Sequence, residues 1–323
     1  MRRALPALVL LLAGCGSTPG TIAFTSTRDG NAEVYVMRAD GSHVRNLTHN
    51  LAQDGQPSWA PDGQRIAFVS ARPGNTQIFV MNADGSGQKR LTHSNDGDTA
   101  PVWSPDGRKI AFMCTVATPF LVTSICVVNA DGSGQRKLTP LRERDSLWPT
   151  WSGDSRTILF TRSFRGYLVF AVNTDGTGER EFLHDPDGDA EPMYAPDGAT
   201  FAYLKATGKR NTWNLYIGSR QLAAGNIDSP VWSPDGKQIA FSNRLSAMRS
   251  DLFVIKANGT GKKQRLTASP GTSLSPRWSP NGKSIAFERL RGNSSQVFTV
   301  HVDGSGEKQL TREGKNGGPV WRP

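Results

Sequence analysis

The sequence predicts an all-β fold, a seven-bladed β-propeller of four-stranded blades. Three observations predict it: an apolar triplet recurs seven times in 323 residues, a Pro-x-aromatic segment recurs with it, and helical periodicity is nearly absent. The triplets are Ile22-Ala23-Phe24, Ile66-Ala67-Phe68, Ile110-Ala111-Phe112, Ile158-Leu159-Phe160, Phe201-Ala202-Tyr203, Ile239-Ala240-Phe241 and Ile285-Ala286-Phe287. The aromatics are Trp59, Trp103, Trp151, Tyr194, Trp232, Trp278 and Trp321, at intervals of 44, 48, 43, 38, 46 and 43 residues. Four short strands fill a period of that length, which is what a propeller blade requires.

Met1 to Leu12 is a basic start followed by an apolar core of signal-peptide length, too short to span a bilayer. It ends in Leu12-Ala13-Gly14-Cys15, which resembles a bacterial lipobox. Residues 1–14 are expected to be removed, Cys15 to be lipidated, and residues 15–20 to form a short tether. Gly16 after the cysteine, rather than Asp, favours the outer membrane by the sorting rule of Gram-negative lipoproteins. In a Gram-positive source the same anchor would place the chain at the cell surface.

The propeller is expected over residues 21–323. In Ile66-Ala67-Phe68-Val69 both alternating faces are apolar, so each sheet must be covered on both sides. Between Pro-x-Trp and triplet stands Ser-Pro-Asp-Gly, as at Ser104 to Gly107, whose Pro and Gly suit a tight turn. After each triplet comes a second apolar run ending in a turn such as Asn82-Ala83-Asp84-Gly85, then a short basic strand such as Lys89-Arg90. The chain starts at a triplet that lacks its Pro-x-Trp and ends at Pro319-Val320-Trp321 without a triplet. The last strand is therefore expected to complete the first blade and close the ring, removing open edges. Cys114 to Ser124 reads as a longer connection, Gly153-Asp154-Ser155 as a turn without its Pro, and the Trp213 unit as the shortest.

The net charge is +10, or +8 without Arg2 and Arg3. Its cations gather in the outermost strands, which suits edge protection or an approach to anionic headgroups. Nucleic acid is not an expected partner, because the basic segments carry no interleaved aromatics. Asp54, Asp98, Asp145, Asp189 and Asp228 stand in the connections entering the Pro-x-Trp strands. They are the candidate ligand- or partner-binding residues, placed near the mouth of the central channel, although Asp is also a common turn residue. Motifs of serine hydrolases, zinc proteases and P-loops are absent, so no catalytic residue, metal ligand or cofactor is expected. Cys114 and Cys126 flank the connection of their unit, and both a disulfide and two buried thiols fit that placement.

Pro-x-Trp-Ser-Pro-Asp-Gly-x-x-Ile-Ala-Phe, with Asp29 to Met37 and Ala39-Asp40-Gly41-Ser42, resembles the TolB-type propeller repeat over residues 21–323. The resemblance implies the propeller and an exported protein that binds a protein or envelope component. It implies no peptidase, since propeller peptidases also need an α/β-hydrolase domain. TolB itself adds an N-terminal α/β domain to six blades, and this chain fits neither feature. The expectation is a monomeric, lipid-anchored binding propeller. Alternatives are a metal-assisted or carbohydrate-active enzyme with its site in the channel, and a structural spacer.

Overall fold

The computed structural model describes residues 20–117, 121–140, 145–163, 166–183, 187–208 and 212–323. The leader, Cys15 and most of the tether lie outside them. The described residues form strands and turns, with no helix.

The strands run β1 (Thr21–Ser26), β2 (Glu33–Arg38), β3 (Arg45–Asn46), β4 (Asp54–Trp59), β5 (Arg65–Ser70), β6 (Gln77–Asn82) and β7 (Lys89–Arg90). Next come β8 (Gly97–Trp103), β9 (Lys109–Ala117), β10 (Leu121–Asn129), β11 (Arg136–Lys137), β12 (Ser146–Trp151), β13 (Thr157–Ser163), β14 (Tyr167–Asn173) and β15 (Arg180–Leu183). They continue as β16 (Asp189–Tyr194), β17 (Phe201–Ala206), β18 (Trp213–Ile217), β19 (Arg220–Ala223), β20 (Asn226–Trp232), β21 (Gln238–Ser246) and β22 (Arg249–Lys256). The last are β23 (Gln264–Arg265), β24 (Thr272–Trp278), β25 (Ser284–Arg291), β26 (Ser294–His301), β27 (Lys308–Gln309) and β28 (Asn316–Trp321).

β4–β7, β8–β11, β12–β15 and β16–β19 each form a four-stranded antiparallel sheet, the architecture of a β-propeller. β20–β27 form an eight-stranded sheet in which two such sets meet through one parallel pair, Ser250 with Thr272. β28 pairs with β1, in the order β28-β1-β2-β3, with Ile22 opposite Trp321 and Ser26 opposite Asn316. The inner strands pack in series, β4 on β8 and onward to β24 on β28, and β28 packs on β4.

The triplets make the core. Ile66 and Phe68 pack back on Ala23, Val34 and Val36, while Ala67 and Val69 pack forward on Trp103, Ile110 and Phe112. A large face thus meets a small one at each interface, and burying one such Phe contributes about 2–3 kcal/mol. Ile22, Phe24 and Met37 pack in the same way on Ala286, Val297 and Leu310.

Two sets of hydrogen bonds tie neighbouring units. On the inside, the indole N–H donates to an inner-strand carbonyl of the preceding unit: Trp103 to Ser58 (3.0 Å), Trp151 to Val102 (3.0 Å), Trp232 to Met193 (3.3 Å), Trp278 to Val231 (3.1 Å) and Trp321 to Arg277 (3.0 Å). On the outside, the first residue of the outermost strand reaches the outer turn of the next unit. Lys89 donates to the Asp131 carbonyl (2.6 Å), Arg136 to Thr174, Arg220 to Asn258 (2.8 Å), Gln264 to Asp303 (2.9 Å) and Lys308 to Asp40 (2.8 Å). Four outer cations, Lys89, Arg136, Arg220 and Lys308, thus bind one unit to the next.

The interface between β12–β15 and β16–β19 differs. Tyr194 replaces the tryptophan, and Arg180 turns back to the carbonyl of Gly178 (3.3 Å). Two glycines meet there instead: a Cβ at Gly198 would lie 2.7 Å from Gly153 Cα. That contact explains why the turn at Gly153 lacks its Pro. Ser155 takes the left-handed position of that turn (φ 60°) where Gly107 stands in its neighbour (φ 67°).

The segment read as a long connection is mostly strand, since β9 and β10 each extend to nine residues. Cys114 and Cys126 lie diagonally across that pair, Cα atoms 5.8 Å apart, and their sulfurs are bonded.

Candidate functional site

Each inner strand carries a β-bulge just before its proline, at Gly55/Ser58, Thr99/Val102, Leu147/Thr150, Ala190/Met193, Asp228/Val231 and Leu274/Arg277, and between β28 and β1 at Ala23/Thr25. The pre-proline residue takes a left-handed φ of 47–58°: Gln56, Ala100, Trp148, Glu191, Ser229, Ser275 and Gly318. A bulge suits a proline, which has no N–H to give the ladder, and it re-aims the residue before it.

Five of these seven bulge amides are met by side chains of the preceding unit. Gln56 N donates to Thr25 Oγ1 (3.1 Å), Ala100 N to Gln56 Oε1 (2.8 Å), Glu191 N to Thr161 Oγ1 (3.1 Å), Ser229 N to Glu191 Oε2 (3.1 Å) and Gly318 N to Glu288 Oε2 (3.2 Å). The positions at the start of the inner strands thus share one backbone conformation, and most share the same tie to the preceding unit. Chemistry enters where their side chains differ.

The five predicted aspartates do not share one environment. Asp54, Asp98 and Asp189 occupy the same repeat position, the second before the bulge residue, and all are buried. Asp54 accepts from Arg72 (2.6 Å) and Asn50 (2.5 Å). Asp98 stands opposite Cys114, and burial raises its carboxyl pKa more than the Thr92 and Ser94 hydroxyls lower it. Asp189 stands opposite Lys205. Asp145 lies one residue ahead of that position and accepts from Thr123 N (2.9 Å). Asp228 lies one residue after it, so its side chain takes the other face of the strand. Of the five, Asp228 lines the cavity described next.

That cavity has a volume of about 230 Å³ and opens at the mouth where the inner strands begin. It lies against β12, β16 and β20. Trp148 and Glu191, from consecutive bulge positions, enter it with Asp228, and Tyr167, Trp213, Arg244 and Ser250 complete the polar and aromatic wall. Trp148 and Tyr167 are exposed, at 44% and 37%, and Trp213 is half-buried. The Tyr167 ring bridges the two indoles, 6.3 Å from Trp148 and 5.8 Å from Trp213.

The Glu191 carboxyl is held up to about 7, first by burial and then by the Asp228 carboxylate, which lies within hydrogen-bonding reach. The positive charge of Arg277, on β24, acts in the opposite sense on Glu191. Among the described residues no three His, Cys, Asp or Glu side chains converge as a metal site would require. Of the residues that line the cavity, the sequence singles out Asp228 and not Trp148, Tyr167, Glu191, Trp213 or Arg244. One signal was available: Trp148 and Glu191 are the bulky and charged members of a position filled elsewhere by Gln, Ala, Ser and Gly.

Comparison with known proteins agrees with this architecture. A Tol-Pal system protein TolB from Geobacter sulfurreducens is 41% identical over 51 residues, 16% of this chain and 12% of that protein. The chain therefore aligns with about an eighth of that relative's length. The crystal structure of TolB from Acinetobacter baumannii matches with a TM-score of 0.60 at 21% identity, covering 94% of this chain and 67% of the other. An oligogalacturonate lyase from Vibrio parahaemolyticus matches with a TM-score of 0.64 at 13% identity, covering 91% and 86%. At such identities the structures speak for the fold alone. The model of the TolB beta propeller domain matches residues 17–193 and 167–323, nearly the whole described chain, and this protein belongs to that family.

Proposed function

We propose that the chain is a lipid-anchored, seven-bladed propeller, closed by its last strand, that binds a protein or another cell-envelope component at the channel mouth. The observation that carries this reading is the concentration of exposed aromatics and paired carboxyls, Trp148, Tyr167, Glu191 and Asp228, in one sector of the ring. Gly20 lies beside Trp321, at the end where the inner strands finish, and the cavity opens at the end where they begin. An anchor at Cys15 would thus hold the propeller with its mouth turned away from the bilayer, probing the periplasm from the outer membrane.

A photo-crosslinking residue at position 148 tests this in intact cells. Adducts are expected there and not from position 283, on the opposite face. Identical adducts from both positions, or none from 148, would reject the mouth as the binding face. Mass spectrometry of the mature N-terminus should find diacylated Cys15, and Cys15→Ser should release the protein to the soluble fraction. An enzyme with its site in the channel is a second reading, favoured by the near-neutral titration of Glu191.

A further inference from the structure

We infer that the cavity at the mouth binds one sugar ring of an envelope glycan, a deepening that rests on the binding role proposed above. Three properties point to a polyhydroxylated ring. Trp148, Tyr167 and Trp213 make a continuous aromatic wall with two members exposed, and such rings pack against the C–H face of a pyranose. Around it stand hydrogen-bonding groups of every kind: the Glu191 and Asp228 carboxyls accept, Arg244 donates, and Asn226 and Ser250 do both. A volume of about 230 Å³ is below the range of roughly 300–1,000 Å³ typical of drug-sized ligands, so it suits a single ring.

The charge balance argues in the same direction. The two acids of the cavity share its wall with Arg244, and the charge of Arg277 also acts on Glu191, so the site carries little net charge to select an ion. A basic peptide would find its attraction to Glu191 and Asp228 offset by the two arginines. Glu191 and Asp228 also lie within hydrogen-bonding reach of each other, whereas the carboxyls that hydrolyse a glycosidic bond stand about 5 Å or more apart. The pair is therefore assigned to gripping hydroxyls rather than to cleaving the ligand. Trp148 is held in a left-handed conformation (φ 53°), a strained state for a bulky residue and one that fixes its ring at the mouth.

Tryptophan fluorescence titration of the full chain with purified peptidoglycan sacculi, chitotetraose, maltotetraose and tetragalacturonate tests the inference. At least one of these should shift the emission saturably. Trp148→Ala should weaken its binding about tenfold or more, and Gln56→Ala, at an equivalent bulge away from the cavity, should leave it unchanged. Trp148→Ala is expected to fold, because Ala100 already occupies the equivalent conformation (φ 52°). No shift with any of the four, or equal binding by Trp148→Ala and wild type, overturns the sugar site. If protein adducts still form at position 148 in that event, the binding role stands without it. If neither is found, both fall.

Discussion

Glu191 and Asp98 share a sign of perturbation that makes their contribution to stability depend on pH. Both carboxyls are pushed up, Glu191 to about 7, so the folded chain keeps protons that the unfolded chain has released. Their contribution is full below the unfolded pKa near 4 and is lost as pH rises through the folded value. For Glu191 that window runs from about pH 4.5 to 7. Glu191→Gln should flatten the fall in stability across it by about 1–2 kcal/mol, after allowance for solvent screening at a partly exposed site. Denaturant titrations at pH 5 and 8 measure the difference. Asp228→Asn removes the neighbouring negative charge and should lower the Glu191 pKa, read from its carboxyl ¹³C shift. Asp98→Asn should raise stability at pH 7 by about 1 kcal/mol, because it replaces a desolvated carboxylate with a neutral isostere.

Two four-strand units use the position of the buried aspartates differently, and the difference is set by their partner strands. Where Ser146 and Ser273 replace Asp, the residues opposite them are buried arginines, Arg162 and Arg289. Each arginine forks onto a glutamate before its outermost strand: Arg162 on Glu179 (2.9 and 3.0 Å) and Arg289 on Glu307 (2.5 and 2.9 Å). The pair ties the second strand of the unit to its short outermost strand. Glu307→Ala leaves the Arg289 charge buried and should cost about 3 kcal/mol, measured by chemical denaturation, whereas the exposed Lys237–Asp235 pair should be worth under about 0.5 kcal/mol. Gly198 has both a left-handed φ (70°) and no room for a Cβ against Gly153. Gly198→Ala should therefore cost about 2 kcal/mol or more, and Gly236→Ala less, because a Cβ there meets a proline ring at 3.6 Å.

At the scale of the whole molecule, the interface between β12–β15 and β16–β19 is one of two that lack both ties. Among the described residues neither an indole nor an outer-strand cation ties these two units, and the cavity lies at their mouth end. The other lies between β1–β3 and β4–β7, where Trp59 Nε1 has no acceptor, although Gln88 donates across it to the Leu47 carbonyl (2.8 Å). Hydrogen exchange should therefore show β15, β16 and β18 opening before β1 and β28. Equal protection throughout would mean that the two sets of interunit bonds contribute little to local stability.

The sequence by itself determined the repeat, the strands and the two-faced core, because triplets, turns and Pro-x-Trp segments each act over a few residues or with one neighbour. Ile66 and Phe68 need only an apolar face on each side, and the pattern supplies it. The pairing of the C-terminal strand with the first was legible for the same reason, as two halves of one unit. Only the tertiary structure decided the site. A one-residue step separates Asp228, which lines the cavity, from Asp189, which is buried, and that step changes meaning at a bulge that no local pattern announces. Trp148, Tyr167, Trp213, Glu191 and Arg244 lie as much as 96 residues apart in the chain and meet only because the sheets wrap around a common channel. Sequence distance carries no record of that convergence.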